Sequence, residues 1–362
     1  MKMSTTTITA RCRIDRGAFL LDVDLLLPGH GVTALFGHSG SGKTTVLRVL
    51  AGLERVAGAH VALGDEVWQD DAKNLFVPTH ERGIGYVFQE ASLFPHLSVR
   101  ANLEFGQKRL PPAERRFELM AVAELLGIER LLDARPDTLS GGERQRAAIA
   151  RTLLASPRLL LMDEPLAALD MRRKLEILPY LERLHAELAL PVVYVSHAAD
   201  EVARLADYLV VLEEGRVLGS GPLAATLARL DLAANFEDDA GVMIETRLEA
   251  HDADGLSQLA FAGGVLLVGR RDAAIGATVR CRIHARDVSL ALERPRGSSI
   301  TNILPARVDA VGPGGTPGQV LVRLLVGETP LLARITERSR RELGIETGCA
   351  VWAQVKAVAL LA

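Results

Sequence analysis

Across residues 1–235, short runs of almost unbroken apolar residues alternate with longer stretches in which apolar positions recur every three or four residues. The first pattern predicts strands covered on both faces, as in a parallel sheet, because a strand with one wet face alternates apolar and polar side chains. Gly31 to Phe36, Leu159 to Met162, Val192 to Ser196 and Tyr208 to Glu213 fit it. The second pattern predicts helices over Glu114 to Leu126, Glu143 to Leu154 and Arg172 to Leu188. Pro157 and Pro191 stand just past the last two, where a helix stop is expected. Strands alternating with helices make a layered α/β domain. Beyond about Phe236 the helical pattern gives way to short alternating segments split by Gly and Pro clusters such as Gly312 to Gly318, which predicts a small all-β domain. Within it, Gly276, Val279, Ile283 and Ala285 recur as Gly348, Val351, Val355 and Ala357, each 72 positions on, the mark of a duplicated strand-rich unit.

Length and composition sharpen this picture. A chain of 362 residues exceeds the roughly 250 to 300 at which single cores stop growing, so the expected organisation is a domain over 1–235 and another over 236–362. Hydrophobic residues at 48% and charged residues at 24% exclude a disordered chain. With 42 Lys and Arg against 45 Asp and Glu, the net charge is −3. No basic excess is available to neutralise a phosphate backbone, which excludes nucleic acid as the main partner. No apolar stretch approaches the roughly 20 residues that cross a bilayer, and Met1 to Ile14 is polar where a signal peptide is apolar. The expectation is a soluble chain in the cytosol. Cys12, Cys281 and Cys349 are odd in number and far apart, which suits reduced thiols rather than a disulfide framework or a metal cluster.

Three stretches carry chemistry. Gly37-His38-Ser39-Gly40-Ser41-Gly42-Lys43-Thr44 lies between a predicted strand and the helical run Thr45 to Ala51, the setting of a phosphate-binding loop. The glycines let consecutive backbone amides converge on phosphates while the following helix directs its positive end at them. Lys43 would reach the β- and γ-phosphates, and Thr44 would offer its hydroxyl to Mg2+. The second stretch, Leu159 to Pro165, is an apolar strand whose tip carries Asp163 and Glu164. Asp163 is expected to hold the Mg2+ shell and Glu164 to polarise the water that attacks the γ-phosphorus of ATP. The third is Leu139-Ser140-Gly141-Gly142-Glu143-Arg144-Gln145, where Ser140, Gly141 and Gly142 precede a helix and present its free amides. Ser140 also suits an ordinary helix cap.

Taken in order with Gln89, Asp170 and His197, these motifs resemble the ATP-binding cassette of membrane transporters. The resemblance implies an α/β P-loop NTPase cassette with a mixed sheet and a helical subdomain, hydrolysing ATP with Mg2+. It implies a homodimer, in which Ser140, Gly141 and Gly142 of one copy cover the ATP held by Gly37 to Thr45 of the other. It also places Gln89 at the metal and attacking water, His197 at the γ-phosphate, Asp170 at the interface between cassettes and Phe19 against the adenine. A cassette of this kind sits at the cytoplasmic face of the inner membrane beneath separate permease subunits, served outside by a solute-binding protein. The apolar loop Ala91 to Leu97 would receive the permease. Chromosome-maintenance and repair ATPases, the competing class, interrupt the cassette with a coiled coil, and no sustained heptad run separates Thr44 from Ser140.

The chain further resembles the ATP-binding subunit of molybdate importers around Tyr86-Val87-Phe88-Gln89, Leu178-Pro179-Tyr180-Leu181 and Ala285 to Leu290. Ser299-Ile300-Thr301-Asn302 and Ala353 to Ala357 resemble the molybdate-binding β-domain, an OB-like fold whose core would span 297–362. That resemblance implies a regulatory oxyanion site, and Ser298, Ser299, Thr301 and Lys356 supply hydroxyl and cationic donors of the required type. Thr301 stands where that family has a basic residue, and Val358 where it often has a small hydroxyl residue.

Overall fold

The structure, a computed structural model, describes residues 6–187, 190–270 and 272–361. The chain divides into two units, Met1–Ser220 and Gly221–Ala362. In the first, the strands are β1 (Thr7–Asp15), β2 (Leu20–Pro28), β3 (Val32–Phe36), β4 (His60–Leu63), β5 (Glu66–Asp70), β6 (Leu75–Phe76), β7 (Ile84–Val87), β8 (Leu159–Asp163), β9 (Val192–Ser196), β10 (Tyr208–Glu213) and β11 (Arg216–Pro222). The helices are α1 (Lys43–Ala51), α2 (Val99–Gln107), α3 (Leu119–Leu125), α4 (Gly141–Leu154), α5 (Met171–Glu187) and α6 (Ala199–Leu205). The strands join one sheet in the order β6-β5-β4-β1-β2-β11-β10-β3-β9-β8-β7. From β10 to β7 the neighbours run parallel, as does β2 with β11, whereas β2, β1, β4, β5 and β6 pair antiparallel with one another in that order.

The unbroken apolar runs have the cause inferred from sequence. Every residue of β3, β8 and β9 is buried, and successive side chains enter opposite cores because strand side chains alternate. Leu159, Leu161, Val193 and Val195 pack with Val46, Leu47 and Leu50 of α1. Leu160, Met162, Val192 and Tyr194 pack instead with Ile149 and Leu153 of α4 and Leu178 and Leu181 of α5. Each such aliphatic side chain contributes about 1.5–3 kcal/mol by leaving water. The parallel strands β3, β9, β8 and β7 therefore end side by side at one edge, where open α/β sheets place their ligands.

One expectation shifts. The helix read over Glu114 to Leu126 is confined to Leu119–Leu125, preceded by a single 3₁₀ turn at Pro112–Glu114. The Arg116 N–H donates to Ser156 Oγ at 3.0 Å and the Arg116 guanidinium to the Pro157 carbonyl at 3.3 Å, which holds this stretch of chain out of the helix. The helix read to Leu188 runs to Glu187, and Leu188 lies outside the described residues. Helices continue to residue 233 and strands begin at Gly241, around the change of character read near residue 235, while the two units divide after Ser220. The intervening α7 (Leu223–Leu227) and α8 (Leu230–Ala233) pack on β12 (Gly241–His251) and β17 (Asn302–Pro313) of the second unit.

The second unit continues with β13 (Leu256–Phe261), β14 (Gly264–Gly269), β15 (Thr278–His284), β16 (Val288–Ala291), β18 (Gln319–Val326), β19 (Thr329–Thr336), α9 (Glu337–Glu342), β20 (Ala350–Val355) and β21 (Ala359–Leu361). Its two five-stranded sheets are ordered β14-β13-β12-β15-β21 and β16-β20-β17-β18-β19. Each half thus builds four strands of one sheet and lends its fifth to the other: β16 pairs with β20, and β21 with β15. The repeat seen in the sequence is the repeat of this unit. Gly276 and Gly348 both adopt left-handed backbone, at φ 90° and 93°. Their N–H groups donate to Leu248 and Val308, at 2.7 and 2.8 Å, beside matching bulges in β12 and β17.

Candidate functional site

Gly37, at the end of β3, opens the loop that wraps into α1. A Cβ here would stand 2.1 Å from the Leu212 carbonyl oxygen, so the chain passes only as glycine. Gly42, the N-cap of α1, has φ 100°, and a Cβ on it would meet Leu21 and Phe19. Both positions explain in steric terms why the loop needs these residues. Lys43 folds back under the loop it follows. Its Nζ donates to the Gly37 and His38 carbonyls, both at 2.7 Å, and more weakly to Ser41 Oγ at 3.3 Å. Burial lowers the Lys43 ammonium below its ordinary pKa, and the charges of Glu164 and Asp163 oppose that shift. A cation drawn from water and ringed by carbonyl oxygens is poised for a stronger anionic partner.

The end of β8 supplies the carboxylates. Asp163 is buried, with Oδ1 accepting from Thr44 Oγ1 at 2.8 Å and Oδ2 from Tyr86 Oη at 3.0 Å. Glu164 adopts φ 44°, an uncommon conformation for a residue with a side chain that costs about 1–3 kcal/mol and is held only where surrounding structure enforces it. Its N–H donates to the Val195 carbonyl at 3.1 Å, which fixes the turn against β9. Its Oε2 lies 3.1 Å from His197 Nδ1, the residue just past β9. The glutamate side chain is 19% exposed and the histidine 50%, so the pair opens to solvent on one side.

A cleft of about 280 Å³ lies over this edge, lined by Arg16, Phe19, Ser39, Gly40, Gly42, Lys43, Thr44, Thr45 and Glu164. It gathers in one place residues that are far apart in the chain, and puts a partly buried aromatic, Phe19, beside the loop. A larger cleft of about 980 Å³, bordered by Asp65, Arg116 and Arg158, contains none of the motif residues. His38 and Ser39 are exposed at the loop crest. Gln89 is exposed two residues beyond β7, which neighbours β8. Gln145 of α4 reaches toward this segment, its Nε2 3.5 Å from the Phe88 carbonyl.

Ser140, Gly141 and Gly142 do not line the cleft. In this chain Ser140 closes a capping box, its Oγ accepting the Glu143 N–H at 3.3 Å while its own N–H donates to Glu143 Oε2 at 2.8 Å. The bonds to Ser140 lower the Glu143 carboxyl below its usual pKa. Asp170 likewise accepts the Arg173 N–H at 2.9 Å, at the start of α5. Sequence reasoning missed Tyr86 as a partner of Asp163. Burial and the neighbouring Asp163 charge push its hydroxyl above the ordinary range, so it remains a donor. The signal was there, since Tyr86 alternates with the buried Val87 on the strand leading to Gln89.

In the second unit, Ser298, Ser299, Thr301 and Lys356 are all exposed. Asn302 pairs with Val355 across β17 and β20, which sets Thr301 and Lys356 at the same end of that ladder. Ser298 Oγ accepts the Ile300 N–H at 3.1 Å, and the Lys356 N–H donates to the Asp287 carbonyl at 2.9 Å.

Comparison with known proteins adds relatives to this geometry. Residues 20–167 match the ABC transporter family and residues 298–362 the TOBE domain. The molybdenum import ATP-binding protein ModC 1 of Azotobacter vinelandii is 61% identical over 360 residues, 99% of this chain and 100% of the relative. The molybdenum import ATP-binding protein ModC of Aromatoleum aromaticum is 61% identical over 355 residues, 98% of this chain and 94% of the relative. Among solved structures, cbiO1 from Clostridium perfringens, part of the ABC transporter complex cbiONQ, aligns with a TM-score of 0.55 at 26% identity, covering 64% of this chain and 95% of that one.

Proposed function

We propose that this chain, which belongs to the ATP-binding subunits of ABC transporters, hydrolyses ATP to power the import of molybdate. The observation that carries the hydrolytic part is the convergence at one sheet edge of Lys43, Thr44, Asp163, Glu164 and His197, with Glu164 and His197 3.1 Å apart. The phosphate chain of ATP enters the loop Gly37 to Thr45, with its negative charge on the amides and on the positive end of α1. Lys43 then exchanges loop carbonyls for β- and γ-phosphate oxygens. Glu164 accepts a proton from the attacking water, and His197, on the open side of that carboxylate, contacts the γ-phosphate. Phe19 stacks on the adenine.

Mg2+ fits the adjoining oxygen donors. Thr44 Oγ1 and Asp163 Oδ1 lie 2.8 Å apart beside the loop, the hard-oxygen chemistry this ion takes when phosphates complete its shell. Thr44, Asp163 and Gln89 would hold it, and the ion supplies neutralisation of charge on the phosphate oxygens. Two copies of the chain close head to tail, so that Ser140, Gly141 and Gly142 cover the partner's nucleotide. The pair sits at the cytoplasmic face of the membrane beneath permease subunits fed by a solute-binding protein. Among the described residues no helix is long and apolar enough to cross a membrane, and a separate permease supplies that part. In the second unit, Ser298, Ser299, Thr301 and Lys356 offer donors for a tetrahedral oxyanion that would set transport to cytosolic supply.

Uptake in cells tests the cargo. Cells lacking the chain are expected to lose high-affinity molybdate accumulation, read by mass spectrometry of cell molybdenum, and to regain it with the wild-type chain but not with Glu164→Gln. Unchanged molybdenum accumulation without the chain, together with loss of another solute, would assign the importer a different cargo.

A further inference from the structure

Behind His197 lies a buried charge cluster that the site described above does not use. Glu201 of α6 has a side chain only 6% exposed, and three donors surround its carboxylate. Lys174 Nζ donates to Oε1 at 2.9 Å, while Tyr194 Oη at 2.9 Å and Ser196 Oγ at 2.8 Å donate to Oε2. Ser196 Oγ in turn accepts the Ala198 N–H at 3.0 Å. The donors come from α5 and β9, so one carboxylate ties three elements together. Burial and the Glu201 charge push the Tyr194 hydroxyl well above its ordinary pKa, which keeps it a donor.

Packing alone gives no reason for this cluster, since well-packed apolar side chains of similar volume often replace a buried ion pair without loss. A fully satisfied buried network does, however, fix one arrangement of the groups it joins. The groups joined here border the reaction. Ser196 and Ala198 flank His197, whose ring meets Glu164. Lys174 sits one helical turn after Asp170, its N–H donating to the Asp170 carbonyl at 3.0 Å.

We propose that Glu201, held by Lys174, is a positioning residue for ATP hydrolysis: it clamps the backbone on both sides of His197 and ties that turn to the Asp170 end of α5. The proposal rests on the ATPase reading above. It assigns Glu201 and Lys174 no contact with nucleotide. Their removal therefore slows the chemical step, through a misplaced His197, without loosening ATP.

The test is steady-state hydrolysis by the full chain, with ATP affinity measured separately by a fluorescent nucleotide. Glu201→Gln keeps the shape and removes the charge. It is expected to lower kcat on the order of tenfold or more while the nucleotide Kd stays within about twofold of wild type. Lys174→Met is expected to match it, and Lys174→Arg, which keeps a cationic donor, to retain kcat within about threefold. Wild-type kcat in both Glu201→Gln and Lys174→Met overturns the proposal. So does a fall in kcat matched by an equal loss of affinity, the sign of general loosening. If Glu201→Gln does not fold, Lys174→Met, at a position 18% exposed, decides by the same readings. Absence of turnover in the wild type, or wild-type turnover in Glu164→Gln, instead overturns the ATPase reading and the positioning role with it.

Discussion

Glu164→Gln is expected to lower ATP hydrolysis by about 10²- to 10⁴-fold, near 3 to 5 kcal/mol of barrier, with ATP still bound. The substitution keeps the length and shape of a side chain held at a left-handed turn, φ 44°, by its N–H bond to Val195. What it removes is the carboxylate oxygen proposed to take the proton of the attacking water. The amide still reaches His197, which lies 3.1 Å from the carboxylate in the native chain, so the fold of the site persists. The nucleotide contacts proposed for Lys43 and the loop are untouched by the change. Phosphate release and a binding assay, run on the same protein, read the two effects apart, and wild-type turnover would remove Glu164 from the mechanism.

Lys43→Ala is expected to act at the other end of the reaction, weakening ATP binding by about 10- to 100-fold, since charge-assisted hydrogen bonds contribute about 1.5–3 kcal/mol each. Two losses combine. The cation proposed to meet the β- and γ-phosphates is gone, and so are the donors that hold the Gly37 and His38 carbonyls at 2.7 Å in the free loop. Equilibrium titration with a non-hydrolysable analogue measures the change. Unaltered affinity would mean that the loop amides alone carry the phosphates.

Much of this site is legible in the chain because each of its parts is local. The buried strands β3, β8 and β9 appear as largely apolar runs, since a sheet covered on both faces leaves few positions for a polar side chain. The loop Gly37 to Thr44 and the paired acids Asp163 and Glu164 follow directly from such strands, so their placement at one edge needed only parallel order. The antiparallel strands β1 and β2 were harder to read. Their outer faces carry Arg11, Arg13, Asp22 and Asp24, and alternation this polar resembles a solvated segment. Contacts between distant residues are not specified by local pattern. Tyr86 with Asp163, and Lys174 with Glu201, are 77 and 27 positions apart, and only register and helix packing bring them together. The division after Ser220 is not written in the pattern either: α7 and α8 look like further cassette helices, and only their packing on β12 and β17 joins them to the second unit. The duplicated β-unit was visible as a 72-residue repeat, but the exchange of β16 and β21 between its sheets was not, because pairing partners are not written in a strand's own composition.

Two copies of this chain are expected to close over two ATP molecules, each covering its partner's nucleotide with Ser140, Gly141 and Gly142. Light scattering on Glu164→Gln, with and without ATP and Mg2+, tests it most directly. The expected result is a monomer without nucleotide and a dimer with it, returned to monomer by Ser140→Arg, which places a bulky cation at the covering turn. A protein that binds ATP and stays monomeric at every concentration would contradict it.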